Sequence, residues 1–392
     1  MIMIYPSEIT KKWPHRPLSE VVDFLDSKRK PITQKDRVPG PYPYYGANGQ
    51  QDSVADYIFD EPLVLLAEDG GHFGDADKTI AYQVEGKCWV NNHAHVLRPK
   101  KDVDIRYICR HLERYDVTPF ITGSTRGKLT KTAANNIPIA LPPLEEQRRI
   151  AAILDKADGV RRKRKEAIRL TEELLRSTFL EMFGDPVTNP KGWRKISLGE
   201  LLAEPLQNGA YFPKERYVEA PDGVEMVHMS DAFYNFVERG QLKRVQVTSE
   251  EFEKYKLIPN DVLIARRSLN YEGSAKPCLI SEADQPLIFE SSLIRVRLNA
   301  EVIDSFFFFS YMLEPRARSA YVFPNVTKST ISGINQAGLR RISVLVPPMS
   351  NQKKYRDIYK KILGTQSNYQ KDYENIDNLF NSLLQRAFRG EL

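Results

Sequence analysis

At 392 residues the chain exceeds what one ordinary core holds, so two domains of roughly 150 residues with additional helix are expected. A hydrophobic fraction of 41% and an aromatic fraction of 10% exclude a disordered chain, and no apolar run reaches the roughly 18 residues that would span a bilayer. Fifty-seven Lys and Arg against 51 Asp and Glu leave a net charge of +6, which suits a polyanionic partner without singling one out.

The opening, MIMIYPSEITKKW, has neither an extended apolar core nor a small-residue cleavage site, so no signal peptide is read and a cytoplasmic location is expected. YYGANG offers Tyr44, Tyr45 and Asn48 among glycines, and is equally compatible with a glycine-rich turn carrying packed tyrosines. Short strands are predicted at 62–68 and 79–85, bounded by Gly, Asp or Pro. His93 and His95 share a face if extended, but the sequence shows no neighbouring carboxylate or thiolate to make a metal site, and a hydrogen-bonding role is expected. Cys88, Cys109 and Cys278 are too few and too scattered for a disulfide framework. Residues 104–115 read as helix, followed by the loop GSTRGK with Ser124, Thr125, Arg126 and Lys128.

LPPLEEQRRIAAIL then opens a stretch, 144–183, that has no proline and is rich in helix formers. Apolar or small residues recur at Ile150, Leu154, Ala157, Ile168, Leu175 and Met182, interrupted by RRKRK at 161–165, and GDP at 184–186 stops the helix. Three readings of that basic run stay open: a phosphate track, a partner-docking face, or a solvated face. Strands are predicted at 261–267 and 292–299, with helix over 304–318. ARRSLNYEG places Arg266, Arg267, Asn270 and Tyr271 after a strand, and alternation lets only one of the two arginines face a ligand. NVTKST, with Asn325, Thr327, Lys328, Ser329 and Thr330, precedes VPPMSNQKKYRDIY and a second long helical pattern.

The chain repeats itself. With an offset of 205, Pro142-Pro143 falls on Pro347-Pro348, Gln147 on Gln352, Arg148-Arg149 on Lys353-Lys354, Thr125 on Thr330 and Leu129 on Ile334. Trp13 and Leu18 meet Trp193 and Leu198 with an offset of 180. The boundaries follow: domains at 1–141 and 187–346, long helices at 142–186 and 347–392. A lone amphipathic rod of about 40 residues, roughly 60 Å, cannot bury its stripe against itself, so the two are expected to pair antiparallel in coiled-coil fashion. The alternatives are a parallel pair, which would put both bodies together, and each helix packing on its own domain. The expected class is α+β: two mixed domains, two long helices and an internal pseudo-twofold repeat.

Several chemistries are disfavoured. No Asn/Asp-Pro-Pro-aromatic run for amino-methyl transfer is present, and GSTRGKL lacks the spacing and the Lys-Ser/Thr of a phosphate-binding loop. Asp77 with Glu85 and Lys87 makes only a chance nuclease-like set among 51 acidic residues. No catalytic residue and no metal ligand is assigned.

PYYGANG, LLAEDGGHFG, WVNNHAHVLRP, GSTRGKLTKTAANNIPIALPPLEEQRRI, IPNDVLIARRSLNYEG and LLQRAFRGEL together resemble the specificity subunit of a type I DNA restriction–modification system. The resemblance covers nearly the whole chain. It implies two target recognition domains, each reading half of a split site on double-stranded DNA. It also implies helices that set the gap and seat two methylation subunits, with restriction–translocase subunits joining that core. S-adenosylmethionine, ATP and Mg would then belong to the partner subunits, and this chain would need no cofactor. DNA contacts are expected from Tyr44, Tyr45, Asn48, Ser124, Thr125, Arg126, Lys128, Arg266, Arg267, Asn270, Tyr271, Thr327, Lys328, Ser329 and Thr330. Partner docking is expected at Gln147, Arg148, Arg149, Gln352, Lys353 and Lys354. The second copy departs from the first, with Ser350-Asn351 where the first has Glu145-Glu146. A coiled-coil adaptor that binds proteins rather than DNA, or a free-standing nuclease, are the competing readings.

Overall fold

Leu63–Ala67 is apolar at every position and buried at every position, as a central strand covered on both faces must be. In the computed structural model it lies in a four-stranded antiparallel sheet, in the order Val22–Phe24, Ala94–Pro99, Leu63–Ala67, Ala81–Val84. The structure describes all residues except 1–2, 10–11, 76–77, 124–126, 234 and 281–284. A second sheet runs Gly49–Val54, Pro39–Gly46, Lys87–Val90, Phe59–Asp60, with its middle pair parallel. These elements belong to one compact unit, residues 1–167 and 369–392.

The other unit, 168–368, repeats the scheme. Its first sheet is ordered Gln207–Asn208, Leu293–Val296, Val262–Ala265, Pro277–Leu279, and its second again holds one parallel pair, Val224–Val227 with Leu287–Phe289. In each unit a short antiparallel pair, His15–Pro17 with Pro138–Ala140 and Arg194–Ser197 with Ser343–Val346, ties the opening of the domain to the strand before its long helix. The helices Ile105–Leu112 and Ser305–Leu313 follow the central sheets. Asp104 and Asp304 cap them, each carboxylate accepting from the second and third amides of its helix. The second helix stops at Glu314 because Pro315 cannot continue it, and a new turn begins at Pro315.

The long helices span Leu144–Phe183 and Met349–Phe388. Gly184, at φ +78°, ends the first in the left-handed conformation that glycine adopts without cost. Both run through both units. In the first unit Ile150, Ala151 and Leu154 share a core with Phe380, Leu384, Ala387 and Phe388. In the second, Phe179 and Phe183 pack with Tyr355 and Tyr359. The two stretches within each unit are antiparallel: Arg161 reaches Asp377 and Arg164 reaches Asp372, both at 3.2 Å, so numbering rises on one helix as it falls on the other. In the second unit Gln366 lies 3.5 Å from Glu172 while Tyr355 sits edge-on to Phe179.

In each unit the paired helix stretches join the domain core through apolar residues. In the first unit the two helices also meet through ion pairs, Arg161 with Asp377 and Arg164 with Asp372, where a coiled coil would place leucines, and Leu379 is exposed, as Leu170 and Leu174 are in the second unit. Among the described residues no helix is long and apolar enough to cross a membrane. The three cysteines are free and buried.

Candidate nucleic-acid interface

In the second unit the central strand Val262–Ala265 runs out into Arg266, and Arg267–Ser268 pairs with Ser332–Gly333. Thr327 and Gly333 exchange backbone hydrogen bonds of 2.8 and 3.1 Å, closing the loop between them, and the Ile334 amide donates to the Arg266 carbonyl at 3.0 Å. Two segments far apart in sequence thus meet. Arg267, Thr327, Lys328, Ser329 and Thr330 are all exposed, and Lys328 Nζ sits 5.3 Å from the Tyr271 ring centroid, drawing the loops together. Arg266, Arg267, Thr327 and Ser329 border a shallow cavity of about 380 Å³. Arg266 is half-buried and its guanidinium leans on the Ser291 carbonyl at 3.4 Å, whereas Arg267 is exposed.

The first unit carries the same loop at the offset read from sequence. Thr122 and Lys128 exchange hydrogen bonds of 2.9 and 2.8 Å, the counterparts of Thr327 and Gly333. Leu129 and Ile334 are buried beneath, and Thr130 and Asn335 each cap the short helix that follows. Ser124, Thr125 and Arg126 lie outside the described residues. Lys128 Nζ is 3.0 Å from Glu68, which also meets Arg29 at 2.6 Å. Behind this loop stands His95, in the hydrogen-bonding role expected for it but with partners that the sequence did not signal. His95, fully buried, has Nδ1 at 2.7 Å from Asp26 and Nε2 at 2.8 Å from the Leu129 carbonyl, so it braces the loop from within. Burial works to raise the Asp26 pKa, but the His95 hydrogen bond and charge prevail and hold it below the usual carboxylate range. Asp26, Glu68 and His95 offer ligand atoms within 4.8 Å of one another, yet Arg29 and Lys128 meet the same carboxylates, the arrangement of an ion-pair network. The expectation that the histidines lack carboxylate support is corrected: His93 also meets Asp69, at 2.5 Å. The carboxylates come from positions 24 and 69 residues away in sequence, beyond any local motif.

Other expected contacts are engaged within the chain itself. Tyr44 is buried, its hydroxyl bonded to the Ile32 backbone and its ring covered by the Arg37 guanidinium at 4.2 Å, so it cannot reach a groove. Tyr45 is half-buried against Tyr82. Asn48 is exposed and donates to the Gly70 carbonyl at 3.0 Å. Asn270 spends its side-chain oxygen on the Gly273 amide at 2.7 Å, closing a turn, and the Tyr271 hydroxyl donates to the Phe323 carbonyl at 3.0 Å.

The twin glutamines are the largest correction. Gln147 is 1% exposed and Gln352 0%, so neither presents itself to a partner. Gln147 accepts from the Asp104 amide at 2.9 Å and donates to the Asp102 and Pro142 carbonyls at 3.1 and 2.9 Å. Gln352 does the same with Asp304, Val302 and Pro347, at 2.8, 3.2 and 2.7 Å. Each clamps the start of a long helix to the capping residue of the domain helix. Arg148, Arg149, Lys353 and Lys354 remain exposed beside these clamps, with Arg148 and Arg149 paired to Glu145 and Glu146 at 2.8 Å. In the basic run, Arg161 and Arg164 are committed to the facing helix, while Arg162, Lys163 and Lys165 are exposed.

The profile of the type I restriction modification DNA specificity domain matches residues 10–170 and again 190–376. The chain belongs to that family. A Haemophilus influenzae protein named as a type I restriction enzyme specificity subunit is 41% identical over 140 residues, which is 36% of this chain and 36% of that one. The EcoKI specificity subunit of Escherichia coli is 24% identical over 353 residues, 84% of this chain and 74% of the relative. The S subunit of a Mycoplasma genitalium type I restriction–modification system shares the fold, with a TM-score of 0.61 at 14% identity over 96% of both chains. The two matched segments of the specificity domain each contain one closed loop, Thr122–Lys128 or Thr327–Gly333.

Proposed function

We propose that the chain is the recognition component of a type I restriction–modification complex, that it performs no chemistry itself, and that each unit reads one half of a split target on double-stranded DNA. The observation that carries this reading is the repetition of one polar loop, closed by the same two backbone hydrogen bonds over a buried aliphatic residue, in both copies of the specificity domain. Exposed Arg267, Thr327, Lys328, Ser329 and Thr330 suit phosphate and base-edge contacts, since arginine reads guanine by two bonds while hydroxyls and lysine hold phosphates. Ser124, Thr125, Arg126 and Lys128 serve the other half-site. The long helices set the gap between half-sites. Arg148, Arg149, Lys353 and Lys354, beside the two glutamine clamps, dock a methylation subunit each, and restriction–translocase subunits join that core. S-adenosylmethionine, ATP and Mg act in those partners.

The test is to co-express the chain with its genomic neighbours and locate every methylated base. A two-part motif with a fixed gap is expected. A continuous motif, or no methylation, overturns the reading.

A further inference from the structure

We infer that a cationic cavity in the first unit, where its body meets the first long helix, binds phosphate groups of the DNA backbone beside the half-site which that unit reads. The inference rests on the recognition function proposed above. The cavity, about 260 Å³, is bordered by Lys78 and Thr79 from the loop before Ala81–Val84, by Arg162 and Lys165 from the first long helix, and by Tyr373 from the second. The more buried Arg114 and Arg161 complete its wall, so five cations and no carboxylate line it.

The nearest acidic groups are already committed. Asp158 alone serves three guanidiniums: Arg110 at 3.0 Å, Arg161 at 2.7 Å and Arg162 at 3.2 Å. Asp377 pairs with Arg161, and Asp155 with Arg110 and Arg106. Lys78 and Lys165 are exposed and form no ion pair among the described residues. A merely solvated basic run would spread its charges around the helix. Here cations from separate parts of the chain converge on one concavity.

The neighbourhood names the anion. Lys78 and Thr79 also border a second cavity, about 350 Å³, shared with Asn48, Gly49, His72 and Tyr82. The two hollows therefore adjoin, and are read as one groove from the glycine-rich loop to the basic face of the helix. A groove with cations at one end and amide, hydroxyl and backbone groups at the other fits successive phosphates and sugars of one strand, contacts that position a duplex without reading it. The exposed part of the basic run then has a role that Arg164, locked to the facing helix, does not share.

The experiment uses the full chain assembled with its methylation subunits, comparing wild type with the Lys78→Ala, Lys165→Ala double variant on target and scrambled duplexes. Loss of two phosphate contacts makes the dependence of log K on log salt shallower by about 2, and weakens both duplexes by the same factor. A titration with inorganic phosphate forms the second arm. If phosphate binds the wild type but not the variant while the duplex slope is unchanged, the cavity serves a free anion and the DNA assignment is overturned. An unchanged slope with target preference intact in the wild type overturns this inference and leaves the recognition function standing. Absence of target preference in the wild type overturns both.

Discussion

Replacing Gln147 by alanine removes three hydrogen bonds at one buried point, where helix start, domain helix and the loop between them meet. The Asp104 amide loses its acceptor, at about 1–3 kcal/mol for a buried unsatisfied donor, and two carbonyls each forfeit about 1 kcal/mol, so the total is about 4 kcal/mol. Gln352→Ala should cost the same in the other unit, because its three partners and distances match. By contrast, Arg148→Ala on the exposed side should stay within about 0.5 kcal/mol. The assay is urea unfolding of the full chain, followed by tryptophan fluorescence and amide exchange. Trp13 and Trp89 report on the first unit and Trp193 on the second, so each variant should shift only its own transition. Gln147→Glu sharpens the test. A carboxylate keeps the bond from Asp104 but faces two carbonyls, so its folded pKa must rise. The variant should be worst near neutral pH and recover toward acid, as the protonated group regains a donor. Destabilisation below about 1 kcal/mol in both alanine variants, with the Asp104 amide still protected from exchange, would refute the clamp.

Two further outcomes follow from the geometry. His111 is buried with no hydrogen-bond partner on either ring nitrogen among the described residues, and burial, then the charge of His15, holds its pKa down at about 3. The folded state therefore refuses a proton that the unfolded chain accepts, and stability falls by up to about 1.4 kcal/mol per pH unit as pH drops below 6.5. His111→Phe should flatten thermal stability across that window, and an unchanged slope would rule the group out. Arg267→Ala should relax methylation at the half-site read by the second unit and leave the other half intact; mapping methylated sites checks this, and equal loss at both halves would argue against it.

The duplication, the two long helices and the central strands were legible because they depend on local period and on an offset repeated along the chain. Thr122–Lys128 and Thr327–Gly333 close the same loop at the same offset of 205. What the clamps do was not legible. Gln147 and Gln352 reach residues 43 to 50 positions upstream, and Asp104 and Asp304 stand 200 apart rather than 205, so one offset did not align donor with acceptor. Tyr44 misled for a similar reason. A tyrosine among glycines reads as exposed, but its hydroxyl is taken by Ile32, twelve residues back across a loop. On the helices, a spacing of three and four marks a face without saying what lies opposite. Arg161 belongs to the run that interrupts the apolar spacing, yet it turns inward to Asp158 and Asp377, while the apolar Leu174, next to Leu175, is exposed.

The division of the chain also orders its synthesis. Residues 168–368 form the second unit without interruption, so its core can close as soon as they leave the ribosome. The first unit must wait, since Phe380, Leu384, Ala387 and Phe388 complete its core from the far end of the chain. Until they arrive, Ile150, Ala151 and Leu154 have no cover from the second helix. A nascent chain broken off before residue 369 would carry one finished half and one adhesive one. The half synthesised first is thus the last to be sealed.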